Sequence, residues 1–143
     1  MVSGILGKRA SPGGEDTELL QRCDEADRTS SCCTPKDTAV HAARAMRDSG
    51  CGCAPVVADT KDKKLVGVVT ERDVCCGVVA DDRHASDVRV EEIMRPPSAC
   101  CGADESVEEG RRKLHEHRTT SLPVIDSAGG CCGTVSVHSL ARS

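Results

Sequence analysis

At 143 residues and 15.0 kDa the chain has room for one ordinary domain or two very small ones. It contains no Phe, Tyr or Trp, which argues against base-stacking platforms for nucleic acid and aromatic cages for cations. A formal net charge of −4, from 19 basic and 23 acidic residues, argues against a bulk electrostatic grip on DNA or anionic lipid.

Residues 1–29 read as an N-terminal extension. Gly4, Gly7, Pro12, Gly13 and Gly14 interrupt regular structure, and only a short helix around 17–23 is expected there. Asp37 or Thr38 then caps a helix with Ala39, Ala42, Ala43 and Met46 on one face, stopped at Gly50. Ala54 to Ala58 and Leu65 to Val69 form two apolar runs around the polar turn Asp59 to Lys64, the pattern of a hairpin. A helix is expected from about Glu71 to Val79. Ser86 caps a short one running through Ile93 and Met94 to the stop at Pro96-Pro97. Ser106-Val107-Glu108-Glu109 has the form of a capping box, with Val107, Gly110 and Leu114 on the inner stripe. Leu122 to Ile125 and Cys131 to Val135 make a second hairpin around 126–130.

These elements repeat. Shifting the chain by 68 residues lays Cys32-Cys33 on Cys100-Cys101 and Pro55-Val56-Val57 on Pro123-Val124-Ile125. After a hairpin loop two residues shorter, Gly67-Val68-Val69-Thr70 falls on Gly133-Thr134-Val135-Ser136. Each copy reads as strand, helix, strand, strand, helix: unit 1 over 30–86, and unit 2 over 87–143 with a truncated final helix. Neither copy is large enough to bury much core alone. The expected fold is α/β in the α+β sense, two small sheets each packed by two helices and related by a pseudo-twofold axis. Clefts between repeats are favoured ligand sites.

The 11 cysteines are not read as a disulfide framework. Their number is odd, no signal peptide or membrane span is apparent, and eight stand in adjacent doublets whose side chains diverge on a strand. A cytoplasmic protein with reduced thiols is expected. Cys131-Cys132 align with Leu65-Val66, so the doublets read as small hydrophobes filling strand and helix positions. No metal site is expected: Cys51-Gly52-Cys53 lacks ligand spacing, and His115 and His117 are two apart on a helix. No nucleophile elbow or phosphate-binding loop with Lys is present, and no catalysis is expected.

The strings Ala42-Ala43-Arg44-Ala45-Met46, Ala54-Pro55-Val56-Val57, Leu65 through Asp73, Val90 through Arg95, Ser121 through Asp126 and Gly133-Thr134-Val135-Ser136 carry a resemblance. Over 30–143 the chain resembles the CBS domain family, named after cystathionine beta-synthase, in its tandem form, the Bateman module. The resemblance implies a regulatory, nucleotide-sensing module of homodimeric habit. Its ligand would be AMP, ADP or ATP, with NAD or S-adenosylmethionine as alternatives, and no cofactor would be required. It further implies that Asp73 accepts hydrogen bonds from ribose hydroxyls while Thr70 and Arg72 face ribose or phosphate. The turn into the following helix would offer backbone N–H groups to the phosphate. By the same resemblance Val68, Cys53, Ala54 and Pro55 line the site from unit 1, and Gly102, Val107, Thr120 and Ser121 cover the adenine from unit 2.

The second copy has Ser139 where the aspartate would stand, so its cleft, on Ser136 and Ser139 with Thr34 and Ala39 opposite, is expected to be empty or weak. Two other readings stay open: a thiol-based redox or metal-binding protein on this scaffold, or a purely structural dimerisation module. The partner regulated by such a module is not legible in the sequence. Asp73 also has a plainer role open to it, capping the helix after Thr70.

Overall fold

The computed structural model describes residues 32–97, 99–137 and 140. The N-terminal extension, its expected helix at 17–23 and most of the stretch where the truncated final helix of unit 2 is expected lie outside them. Helix α1 (Ala39–Ser49) opens where the Thr38 side chain accepts the His41 N–H at 3.3 Å. It closes at Gly50, whose φ of 72° turns the chain left-handed and lets its N–H reach the Met46 carbonyl. Its buried face is Ala39, Ala42, Ala45 and Met46; Ala45 takes the place expected for Ala43. Strand β1 (Cys53–Val57) follows, buried along its whole length, and pairs antiparallel with β2 (Leu65–Thr70). The chain then enters α2 (Glu71–Val74), which loosens into a π-helical turn over Cys75–Val79.

The segment between the copies differs from expectation. Ser86 lies inside a single 3-10 turn (Ala85–Asp87), and the helix proper, α3, is only Val90–Ile93. Its start is held by Glu92, whose carboxylate accepts the Arg89 N–H at 2.8 Å. That bond and the Arg83 guanidinium, 2.8 Å away, hold the Glu92 carboxyl below the usual carboxylate range. Val88 and Val90 are fully buried against unit 1: Ala39 N–H donates to the Val88 carbonyl and Val90 N–H to the Asp37 carbonyl. Unit 2 continues with β3 (Cys101–Gly102), α4 (Val107–Glu116), β4 (Ser121–Ile125) and β5 (Cys131–Ser136).

The repeat is visible in the register. Cys53 faces Thr70 in β1–β2 as Ser121 faces Ser136 in β4–β5, and both ladders slip at the equivalent point, after Val56 and after Val124. Cys101 pairs parallel with Val124, and Cys33 makes the matching parallel bridge to Val56. The architecture is therefore α+β and built twice, as the sequence repeat requires.

Without aromatic rings the two cores are packed from small side chains. Unit 1 gathers Cys33, Ala42, Met46, Ala54, Val56, Val69 and Val90; unit 2 gathers Cys101, Val107, Leu114, Leu122, Val124, Cys132 and Val135. The units meet through their hairpins. Cys131 N–H donates to the Lys63 carbonyl at 2.7 Å and Leu65 N–H to the Gly129 carbonyl at 3.2 Å. The buried Thr134 hydroxyl bonds the Cys51 thiol at 3.3 Å.

The reading of the cysteine doublets as core filler needs correction at one of them. Cys33, Cys101, Cys131 and Cys132 are buried, but Cys75 and Cys76 are both exposed because the π-helical turn carries them on its outer side.

Candidate functional site

A cleft of about 170 Å³ lies between the units, lined by Cys53, Val68, Thr70 and Asp73 from unit 1 and Ser121, Leu122 and Pro123 from unit 2. Arg95, Pro96 and Ala99 of the connecting segment and His117 and Thr119 after α4 complete the wall. Local chemistry explains the arrangement. Thr70 ends β2 and caps α2, its hydroxyl accepting the Asp73 N–H at 3.1 Å. Asp73 Oδ2 reaches back and accepts from the Thr70 N–H and the Thr70 hydroxyl, each at 2.9 Å. The plainer capping role is thus real, and it leaves Asp73 only 4% exposed with its second oxygen turned toward the cleft.

That second oxygen is taken by a residue the sequence reading did not single out. Arg95 Nε donates to Asp73 Oδ1 at 2.6 Å while the arginine side chain remains 68% exposed. The backbone sets it there: Arg95 precedes Pro96, which favours extended geometry. It bridges Val68 in both directions, N–H to carbonyl at 3.0 Å and carbonyl from N–H at 2.9 Å. Gly67 makes the approach possible, since a Cβ there would stand 3.0 Å from the Arg95 carbonyl oxygen. The sequence signal was the Arg-Pro-Pro string, read only as a helix stop. His117 was weighed only as a metal ligand, and it brings an imidazole ring to a wall otherwise without one among the described residues.

Of the expected site residues, Thr70, Asp73, Val68, Cys53 and Ser121 come together in the cleft. Arg72 is exposed and does not line it. Ala54 is fully buried in the unit 1 core, and Pro55 beside it is buried as well. Val107 is 2% exposed inside the unit 2 core, and Gly102, on β3, packs against Asp104 and Glu105; neither lines the cleft. Thr120, whose hydroxyl stands against Gly52, does not line this cleft; it lines a hollow of about 620 Å³ with Arg111, Leu114, His115, Arg118, Thr119, Val137 and Leu140. That hollow is larger, but no carboxylate lines it among the described residues. In the second expected cleft, Ala39 is buried with Val78 and Val88, and Ser139 lies outside the described residues.

Three donors around the turn are engaged by the chain itself. Thr70 N–H goes to Asp73, Asp73 N–H to Thr70, and Glu71 N–H to the Gly52 carbonyl at 3.1 Å. The cationic group paired with the Asp73 carboxylate among the described residues is the Arg95 guanidinium. Chemically, the cleft combines a buried carboxylate, hydroxyls, a largely exposed arginine, an imidazole and an aliphatic wall. No group of three or more His, Cys, Asp or Glu side chains suited to a metal ion occurs among the described residues. None of their helices is long and apolar enough to cross a membrane.

Comparison with known proteins agrees with this architecture. A protein with CBS domains from Burkholderia ambifaria MC40-6 superposes with a TM-score of 0.70 at 29% identity, covering 87% of this chain and 92% of the other. A CBS domain protein from Pyrobaculum aerophilum, solved in complex with AMP, superposes at 0.66 and 22% identity, covering 81% and 92%. The uncharacterized protein MK0525 of Methanopyrus kandleri is 30% identical over 107 residues, which span 75% of this chain and 54% of that protein. The chain thus spans about half the length of that relative, and 20% of a homoserine O-acetyltransferase from Methanosphaerula palustris that is 32% identical over 111 residues. The CBS domain model matches twice, over residues 28–79 and 90–143, and the chain belongs to the CBS domain family as a tandem pair.

Proposed function

We propose that the cleft around Asp73 binds an adenosine nucleotide of the AMP, ADP or ATP type, and that the chain acts as a regulatory module without catalysis of its own. One observation carries the reading: a buried carboxylate faces a cleft walled by both units, with an exposed arginine already seated on it. A carboxylate suits a ribose cis-diol because it offers acceptor lone pairs on two oxygens. Here the diol has to replace Arg95 at Oδ1. The released guanidinium is exposed and well suited to a phosphate, which it can meet in bidentate fashion. Since three turn donors are already bonded internally, phosphate recognition falls to Arg95 more than to the helix N-terminus. Val68, Leu122, Pro123 and the His117 ring are available to the base.

The volume fits this sequence of events. About 170 Å³ is below the roughly 300–1,000 Å³ of pockets that enclose small-molecule ligands. Withdrawal of Arg95 and a small separation of the units make room, so occupancy biases their relative position. The AMP complex of the Pyrobaculum aerophilum protein supports an adenosine ligand at the level of the shared fold. Titration calorimetry of the purified chain with AMP, ADP, ATP, NAD and S-adenosylmethionine tests the reading. Saturable binding of an adenosine phosphate, lost in Asp73→Asn while the circular dichroism spectrum is kept, is the expected result. Failure of every ligand to bind the folded chain overturns it.

A further inference from the structure

Cys32 and Cys131 are 99 residues apart in sequence, yet their sulfurs lie 3.8 Å from each other across the seam between the units. Both are held by backbone bonds. Cys33, next to Cys32, donates to the Pro55 carbonyl and accepts from the Val57 N–H, each at 2.8 Å, which fixes the segment against β1. Cys131 opens β5 and donates its N–H to the Lys63 carbonyl of the other hairpin. Neighbouring residues of an extended segment face opposite ways, so Cys33 points into the core while Cys32 is only part-buried at the seam.

The two thiols differ in character. The Cys131 S–H, able to bond a Cys32 thiolate, and the nearby Lys63 charge hold the Cys32 thiol below its ordinary value of 9.0, against the opposing effect of burial. Cys131 moves the other way, pushed up by its bond to Cys32 and by burial. Cys32 is therefore the less buried sulfur and the one favoured as thiolate, while Cys131 is buried and held toward its protonated form. Nucleophilic and resolving thiols need that division of labour.

We infer that Cys32 and Cys131 form a peroxide-reactive dithiol that closes to a disulfide joining the two units. The Cys32 thiolate attacks one oxygen of hydrogen peroxide and the O–O bond breaks, leaving a sulfenic acid on Cys32 and a hydroxide. The hydroxide takes up the proton that Cys32 gave up on ionising and becomes water. Cys131 sulfur then attacks the sulfenic sulfur, an S–S bond forms, and the hydroxyl leaves with the Cys131 proton as a second water. Two thiols are oxidised by two electrons and one peroxide is reduced to two waters. From 3.8 Å the sulfurs close to bonding distance with under about 2 Å of movement. The covalent link would tie the first segment of unit 1 to β5 of unit 2. The inference is independent of what the Asp73 cleft binds.

The reduced full chain, at low micromolar concentration, is treated with hydrogen peroxide, capped with N-ethylmaleimide, digested with trypsin and analysed by mass spectrometry without reductant. The expected product is peptide 29–36 joined to peptide 119–142, reversed by dithiothreitol and assigned to Cys32 and Cys131 by fragmentation. Thiol loss at Cys32 should run about ten-fold faster than at the exposed Cys75 and Cys76. Cys32→Ser and Cys131→Ser should each abolish the product. Fragmentation of the unsubstituted chain decides the matter even where a variant fails to fold. The inference is overturned if the link persists in Cys32→Ser, or if peroxide consumes Cys75 and Cys76 while Cys32 stays fully available to N-ethylmaleimide.

Discussion

Replacing Asp73 by Ala should destabilise the ligand-free protein, and the structure gives the size. The Asp73 carboxylate holds three contacts: the Thr70 N–H and hydroxyl at 2.9 Å and Arg95 Nε at 2.6 Å. With alanine the Thr70 hydroxyl still accepts the residue 73 N–H, but the Thr70 N–H of the capping box loses its acceptor. Loss of one cap costs about 1 kcal/mol, and a part-buried donor left without an acceptor adds about 1–2 kcal/mol. The ion pair adds little, because Arg95 is 68% exposed and turns into water at a cost of about 0–1 kcal/mol. The total is about 2–4 kcal/mol, a large share of a stability of about 5–15 kcal/mol. In urea it should appear as a midpoint lowered by about 1–2 M with little change in slope. Arg95→Ala should lower stability by no more than about 1 kcal/mol. If Asp73→Ala unfolds within about 0.5 kcal/mol of the parent, or Arg95→Ala costs as much as Asp73→Ala, the assignment of these contacts is wrong. The experiment also matters for binding, since loss of affinity in Asp73→Ala has to be separated from loss of fold.

Arg95→Ala should split phosphate from sugar: AMP binding should weaken about ten-fold, the worth of a charge-assisted bond, while adenosine binds as well as before or better. Gly67→Ala brings a Cβ to 3.0 Å of the Arg95 carbonyl and 3.1 Å of Met94 Sδ, so it should cost about 1–3 kcal/mol in urea unfolding and weaken AMP binding by displacing Arg95. Burial, with the Asp37 and Cys32 charges, raises the Cys33 thiol from 9.0 to about 12, so the folded chain keeps a proton that the unfolded chain releases near pH 9. Stability from this thiol is therefore complete below pH 9 and falls as pH rises toward 12, by on the order of 2–3 kcal/mol at pH 11. Urea unfolding under reducing conditions should show this alkaline loss, reduced in Cys33→Ala. The peroxide-linked form should resist urea more than the reduced form, by up to about 4–5 kcal/mol on chain-entropy grounds for a loop near 100 residues.

The fold was legible because it is written twice. The repeat, offset by 68 residues before the hairpin loop and 66 after it, lays the Cys53–Thr70 pairing on Ser121–Ser136 and the third-strand contact of Cys33 on that of Cys101. Half of the cleft followed from the same repeat, since Thr70 and Asp73 end a strand and cap a helix by local rules. The other half depends on long-range placement. Arg95 enters through backbone pairing with Val68, a contact that helix-stop signals cannot announce. Val107 follows the cap residue Ser106 and looks able to reach a ligand, yet the helix turns it into the core. Cys75 and Cys76 resemble the buried doublets in sequence, but a π-helical turn carries both outward. Periodicity predicts which elements exist; it does not say which face of an irregular turn meets solvent.

The central claim is that Asp73 holds the ribose diol of an adenosine nucleotide. It is tested most directly by comparing AMP with 2′-deoxy-AMP on the unsubstituted chain by titration calorimetry. A hydrogen bond to a charged carboxylate is worth about 1.5–3 kcal/mol, so the deoxy nucleotide should bind at least about ten-fold more weakly. Equal affinity for the two would contradict the account.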